Sequence, residues 1–253
     1  MVLKSTFTML LIATLAVFTT TPQTAEAHSW AECVDWKFKN PKRPDYSDKG
    51  GKCLGYARRF PLGRRFASLD SAWPNRHYQQ THRKPTPNNA LPCSNRRAGE
   101  EPGSDETRPK KWSDAYGGKY GRMTVTHVGD TLCLRWPAKN HATKDSYNNP
   151  VWINLSPYAN RADISQSALN KANIAKLTYK NCMKYGNNDN RACGGCFKVP
   201  KRNPGVYLMQ WRWMLNKDEW YTSCADINIQ GKSKSKRHLN EEISGIVHPD
   251  DRI

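Results

Sequence analysis

What is scarce in this 253-residue chain bounds it before any motif does. Apolar runs are short. The longest lies around residues 9–18, and nothing after it approaches the roughly 18 uncharged apolar residues that a membrane helix needs. Acidic residues are few, 22 against 40 Lys and Arg, so the formal net charge is +18. Such a surface repels cationic partners and attracts polyanions. Internal repeats are lacking, which argues against a solenoid or a propeller. Stretches free of both glycine and proline that also carry apolar residues are rare, so little helix is expected.

The early apolar run has the features of an export signal. Lys4 precedes it, and Ala25-Glu26-Ala27 supplies the small-x-small pattern of a cleavage site. Cleavage there would start the mature chain at His28 and leave 226 residues, enough for one large β-domain. All eight cysteines (Cys33, Cys53, Cys93, Cys133, Cys182, Cys193, Cys196 and Cys224) lie beyond the leader. An even number in an exported chain reads as four disulfides, among whose pairings the sequence does not choose. Cys193-Gly-Gly-Cys196 has the spacing of a redox or zinc motif, but no neighbouring histidine or second such pair supports that use. The leader holds one Lys and one Glu, so the excess charge belongs to the exported part. Outside the cell its polyanions are acidic polysaccharides, anionic lipid surfaces or extracellular DNA, with solubility alone as the plainer explanation.

Residues 35–112 are rich in Pro, Gly, Asn, Arg and Lys and read as long loops pinned by Cys33, Cys53 and Cys93. Alternating runs at 123–128 and 131–136, joined by Gly129-Asp130, read as consecutive strands, with further strands at 205–213 and 221–229. The segment 165–179 carries Ala168, Leu169, Ala172, Ile174, Ala175 and Leu177 without glycine or proline, and its spacing suggests a short amphipathic helix. The expected fold is mainly β: an antiparallel β-sandwich of immunoglobulin or fibronectin type with long disulfide-pinned loops and a few short helices. The expected organisation is a leader over 1–27, one catalytic sandwich domain over 28–230, and a flexible basic extension over 231–253 that opens with Gly231-Lys-Ser-Lys-Ser-Lys-Arg237.

An N-terminal histidine offers a free α-amine and an imidazole on one residue. The amine, with an ordinary pKa near 8, can give up its proton to a metal at mild pH. A second histidine would complete a three-nitrogen set suited to copper. His28-Ser-Trp, Trp136-Pro-Ala-Lys-Asn-His141-Ala, Gly205-Val-Tyr-Leu-Met-Gln-Trp-Arg-Trp213 and Glu219-Trp-Tyr221-Thr-Ser-Cys-Ala-Asp226-Ile-Asn-Ile229 together resemble, in order, the landmarks of lytic polysaccharide monooxygenases. The resemblance spans nearly the whole chain beyond residue 27, and the closing Tyr-x-x-Cys-Ala-Asp-Ile-x-Ile pattern is its most specific part. It implies copper held by His28 and His141, with Tyr221 axial, and a polar residue supporting the site at Glu219 or Gln210. Alternation places Glu219 on the side of Tyr221. It also implies an external electron donor, oxygen or hydrogen peroxide as co-substrate, and hydroxylation next to a glycosidic bond. His127 competes with His141 as second ligand, although its place inside a strand suits a partly buried histidine better. His77, His82, His238 and His248 read as solvated. No pair of carboxylates stands out as a hydrolytic site with comparable specificity.

Charge bears on the polymer. Neutral cellulose or chitin gives no electrostatic reason for so basic a chain, whereas polygalacturonate carries a carboxylate on each sugar. The chain thus looks like the pectin-active branch found in oomycete plant pathogens, auxiliary activity family seventeen, acting outside the cell as a monomer with no nucleic-acid or membrane partner. Arg58, Arg59, Arg64, Arg65, Lys110 and Lys111 are candidates to contact its carboxylates. Trp30, beside His28, is the candidate to stack on sugar, while Trp136, Trp211 and Trp213 read as core. Rival readings are a copper-binding protein that does not oxidise sugar, an oxygenase acting on cellulose or chitin, and a secreted effector that binds host surfaces by charge alone. Asn154-Leu-Ser156 is a formal glycosylation sequon, followed by Pro157.

Overall fold

The computed structural model describes residues 29–48, 50–60, 79–81, 92–93, 112–137, 148–179, 192–217 and 219–231. Its centre is a long antiparallel hairpin of β9 (Gly205–Asn216) and β10 (Glu219–Gln230), in register from Tyr221↔Trp213 to Ile229↔Gly205. Beyond β9 lie β6 (Val151–Leu155) and then β7 (Asn173–Leu177), both antiparallel. On the other edge of β10, β3 (Gln79–Thr81) pairs with its start, and β4 (Thr124–His127) runs parallel to its end. A second layer is the antiparallel pair β5 (Thr131–Pro137) and β8 (Ala192–Lys198). A two-residue ribbon, β1 (Trp36–Lys37) with β2 (Lys52–Cys53), completes the strands. Among the described residues the only α-helix is α1 (Gln166–Asn170). The expected mainly β sandwich is what the chain forms.

The two layers meet because each strand alternates. Tyr207, Met209, Trp211, Trp213 and Leu215 of β9, with Ala225, Ile227 and Ile229 of β10, bury against Leu132, Leu134 and Trp136 of β5 and Phe197 of β8. Trp213 stacks on Tyr179 with ring centroids 3.9 Å apart, and Trp136 lies 6.0 Å from Trp211. Each such pair adds about 0.5–1.5 kcal/mol beyond area burial. The turn from β4 to β5 needs a left-handed residue, supplied by Gly129 at φ 85°. Disulfides join Cys33–Cys53, Cys93–Cys224 and Cys133–Cys196, and Cys193 is disulfide-bonded as well, so the CxxC cysteines are structural.

The helix expected over 165–179 is corrected. Ser165 does cap a helix, accepting from the Ala168 N–H, but that helix ends at Asn170. The remainder becomes β7, because pairing with β6 puts Leu177 opposite Val151 and Ala175 opposite Ile153. The Asn173 amide bonds to Ile153 O and Asn154 Oδ1. Tertiary pairing overrides a weak helical spacing in a segment with a β-branched Ile174.

Arg58 is corrected too. It is fully buried rather than presented to a polymer. Its guanidinium bonds in pairs to Asp226 (2.8 and 2.9 Å) and to Asp163 (2.7 and 2.9 Å). Tyr116 Oη, itself hydrogen-bonded to Asp226, closes the cluster. The two carboxylates hold the guanidinium charged, well above its ordinary pKa, against the opposing pull of burial. Breaking one partner of such a cluster strands buried charge. Arg58→Met is therefore expected to cost about 3–5 kcal/mol in denaturant unfolding. A loss below about 1 kcal/mol, the worth of an exposed pair, would contradict this placement.

Candidate functional site

The site expected from the sequence depends on three pieces of chain meeting at one end of the sandwich. Tyr221 belongs to the best-defined of the three, the start of β10. It faces the core, fully buried, with its ring 6.0 Å from that of Trp213. His28 and His141 lie outside the described residues, but the chain on which each depends is described up to a few residues away.

The segment following His28 is fixed. Ser29, Trp30 and Ala31 are all buried. The N–H of Ala31 donates to Ser223 Oγ at 2.9 Å. Ser223 stands two residues from Tyr221, hence on the same face of β10. One step further, the N–H groups of Glu32 and Cys33 donate to Arg135 O (2.9 and 3.3 Å), and Arg135 N–H returns a bond to Cys33 O (2.9 Å). The Glu32 carboxylate accepts from the Arg135 guanidinium, and both are buried. Burial pulls that guanidinium below its ordinary pKa, and Glu32 works in the opposite direction. The Cys33–Cys53 disulfide anchors the same stretch.

The pairing of Cys33 with Arg135 is antiparallel. The chain running back from Cys33 toward residue 28 and the chain running on from Arg135 toward residue 141 therefore leave in the same direction. That direction leads to the Tyr221 end, since Trp136 packs on Trp211 and Trp213 pairs with Tyr221. The described ends of both histidine-bearing segments thus converge on the face and end of the sandwich that hold Tyr221. The donor set expected from the sequence, an amine, two imidazoles and a phenol, would suit copper.

Gln210 and His127 fall elsewhere. Gln210 pairs with Cys224, on the opposite face of the sheet from Tyr221, so the structure does not bring those two together. There Gln210 sits in a buried amide network. It accepts from Asn154 Nδ2 (3.0 Å) and Gln166 Nε2 (3.1 Å) and donates to Pro92 O (2.6 Å), held in place by Cys93–Cys224. Glu219 opens β10 at a register shift between Glu219 and Trp220, and its side chain lies outside what the structure describes. His127 pairs with Gln230, nine residues along β10 from Tyr221 and so about 30 Å away, and its Nδ1 lies 3.4 Å from Asp130. It cannot share an ion with Tyr221. Arg59 sits in a left-handed turn at φ 52°, while Arg64, Arg65, Lys110 and Lys111 lie outside the described residues. Trp30 is 4% exposed and offers no open face for stacking. The sequence reading missed Ser223, Glu32 and Arg135. A lone hydroxyl on an apolar strand face was the available signal for the first.

Among the described residues no group of three or more His, Cys, Asp or Glu side chains is placed to hold a metal ion, and no described helix is long and apolar enough to cross a membrane. No family model matches the chain, and no curated protein matches it. Among solved structures, it is similar to an AA10 lytic polysaccharide monooxygenase from Streptomyces lividans, at 16% identity and TM-score 0.41, over 62% of this chain and 84% of that one. It is similar also to the cellulose-active monooxygenase CelS2 in complex with copper, at 15% identity and TM-score 0.34, over 56% and 74% of the two chains. A third is the entomopoxvirus fusolin, at 14% identity and TM-score 0.32, over 55% of this chain and 46% of that one.

The amide network settles the sequon in the folded protein. Asn154 is 1% exposed, with its Nδ2 given to Gln210 and its Oδ1 accepting from Asn173. Peptide mass spectrometry of the protein expressed through a glycosylating secretory pathway is expected to find Asn154 unmodified. A glycan there would contradict the buried network.

Proposed function

We propose that this chain is a secreted, copper-dependent oxygenase that cleaves polysaccharide chains, with polygalacturonate as its substrate. In this reading the α-amine and imidazole of His28 and the imidazole of His141 hold copper, and the Tyr221 phenol stands beside it. Residues 1–27 form a cleaved leader, 28–230 the catalytic domain and 231–253 a basic extension, and the enzyme works as a monomer outside the cell. The observation that supports it most is the antiparallel pairing of Cys33 with Arg135, from which the described ends of both histidine-bearing segments leave in the same direction. The net charge of +18 supports an anionic polymer over a neutral one.

Copper, when bound, supplies the redox chemistry with an external electron donor and oxygen or hydrogen peroxide. The chain's own residues do the positioning. Tyr221 projects from the middle of a three-strand pairing, between β9 and β3, so its phenol is carried by a rigid element rather than by a loop. Buried Ser29, Trp30 and Ala31 keep the backbone behind His28 dry and fixed. The segment bearing His141 follows β5, whose Trp136 is buried in the core.

Incubation of the copper-loaded protein with ascorbate, hydrogen peroxide and polygalacturonate is expected to yield oxidised oligosaccharides in a mass spectrum, and binding to that polymer should weaken as salt is raised. Copper bound without oxidised products from polygalacturonate, cellulose or chitin would leave only a copper-binding protein. Products confined to cellulose or chitin would overturn the substrate.

A further inference from the structure

We infer that Ser223 is a positioning residue that sets where the N-terminal histidine sits relative to Tyr221; this rests on the copper reading above. The core-facing positions of β10 run Tyr221, Ser223, Ala225, Ile227, Ile229, and opposite them on β9 stand Trp213, Trp211, Met209 and Tyr207. Ser223 is fully buried among these apolar neighbours, where a hydroxyl without a partner is costly. Its partner is the backbone N–H of Ala31, 192 residues away in sequence, at 2.9 Å. Ala31 lies before the point at which the segment begins to pair with Arg135, so its own N–H is satisfied by this side chain rather than by a strand ladder.

The geometry turns that bond into a spacer. Tyr221 and Ser223 lie two residues apart on one face, about 7 Å along the strand. The three steps from Ala31 back to His28 reach at most about 11 Å. Fixing Ala31 on Ser223 therefore keeps residue 28 within reach of the Tyr221 end of β10. Glu32 and Cys33, tied to Arg135, fix the direction of approach, and Ser223 fixes its height over β10. Groups that orient a metal's ligands from outside commonly change its affinity by about 10–100-fold.

The test uses protein beginning at His28, with Ser223→Ala beside the isosteric pair Ser223→Thr and Ser223→Val, which differ only in the hydroxyl. Three quantities are read: hydrogen exchange of the Ala31 amide in metal-free protein, Cu(II) affinity, and the Cu(II) electron paramagnetic resonance spectrum. Ser223→Ala is expected to speed exchange at Ala31 and weaken copper by about tenfold, the size of one hydrogen bond, with a shifted spectrum. Ser223→Thr should retain the wild-type spectrum and Ser223→Val should not. Wild-type affinity and spectrum in both Ser223→Ala and Ser223→Val would overturn the inference. If instead wild-type copper binding proves independent of His28, the copper reading fails, and the exchange data alone decide whether Ser223 tethers the segment.

Discussion

The short stretch from Ala31 to Cys33 lies between the two layers of the sandwich and bonds to both. Its backbone pairs with β5 at Arg135, and its Ala31 amide reaches the hydroxyl of Ser223 on β10. Everything proposed for the active end follows from that. Without it, residue 28, the terminus of the proposed mature form, would have no fixed approach to β10. With it, an element of the unpaired N-terminus becomes part of the scaffold, further secured by the buried Glu32–Arg135 pair and the Cys33–Cys53 bond. Nitrogen ligands on a chain end are useful only when the end is held.

The strands that carry the core were legible because they alternate over enough residues. The stretches at 123–128, 131–136, 205–213 and 221–229 correspond to β4, β5, β9 and β10. Three of the remaining strands, β6, β7 and β8, escaped for separate reasons. In β6, Val151-Trp-Ile-Asn-Leu155 is short and apolar at nearly every position, since Asn154 is buried in the amide network on the other face. In β7 the apolar spacing fits a helix as well as a strand, and only β6 beside it decides. In β8 the Gly194-Gly195 pair looks unlike a strand. Its reason is space, because a Cβ at Gly194 would meet the Tyr46 ring at 2.0 Å, and one at Gly195 would meet Leu177 at 2.9 Å.

Of the residues proposed for the site, Tyr221 lies buried on the core face at the start of β10, whereas Gln210 belongs to the opposite face. Sequence distance gave no means of seeing this, because Gln210 and Tyr221 sit on different strands and only the register Cys224↔Gln210 sorts their faces. Arg58 shows the same limit for charge. In a chain with 40 Lys and Arg, a basic residue in a loop reads as surface, yet this one is enclosed by Asp163 and Asp226. Asp226, the acidic residue of the closing motif, is thereby explained as the anchor of that loop rather than as a participant in chemistry.

The central claim is that the amine of His28 is a metal ligand. Cu(II) titration of protein beginning at His28 against protein carrying one additional residue ahead of it tests this most directly. The account predicts that the extended form loses more than about a hundredfold in affinity, above the cost of losing an outer partner of a metal site. It also predicts that the nitrogen couplings in its resonance spectrum change. Equal affinity and identical spectra in the two forms would contradict it.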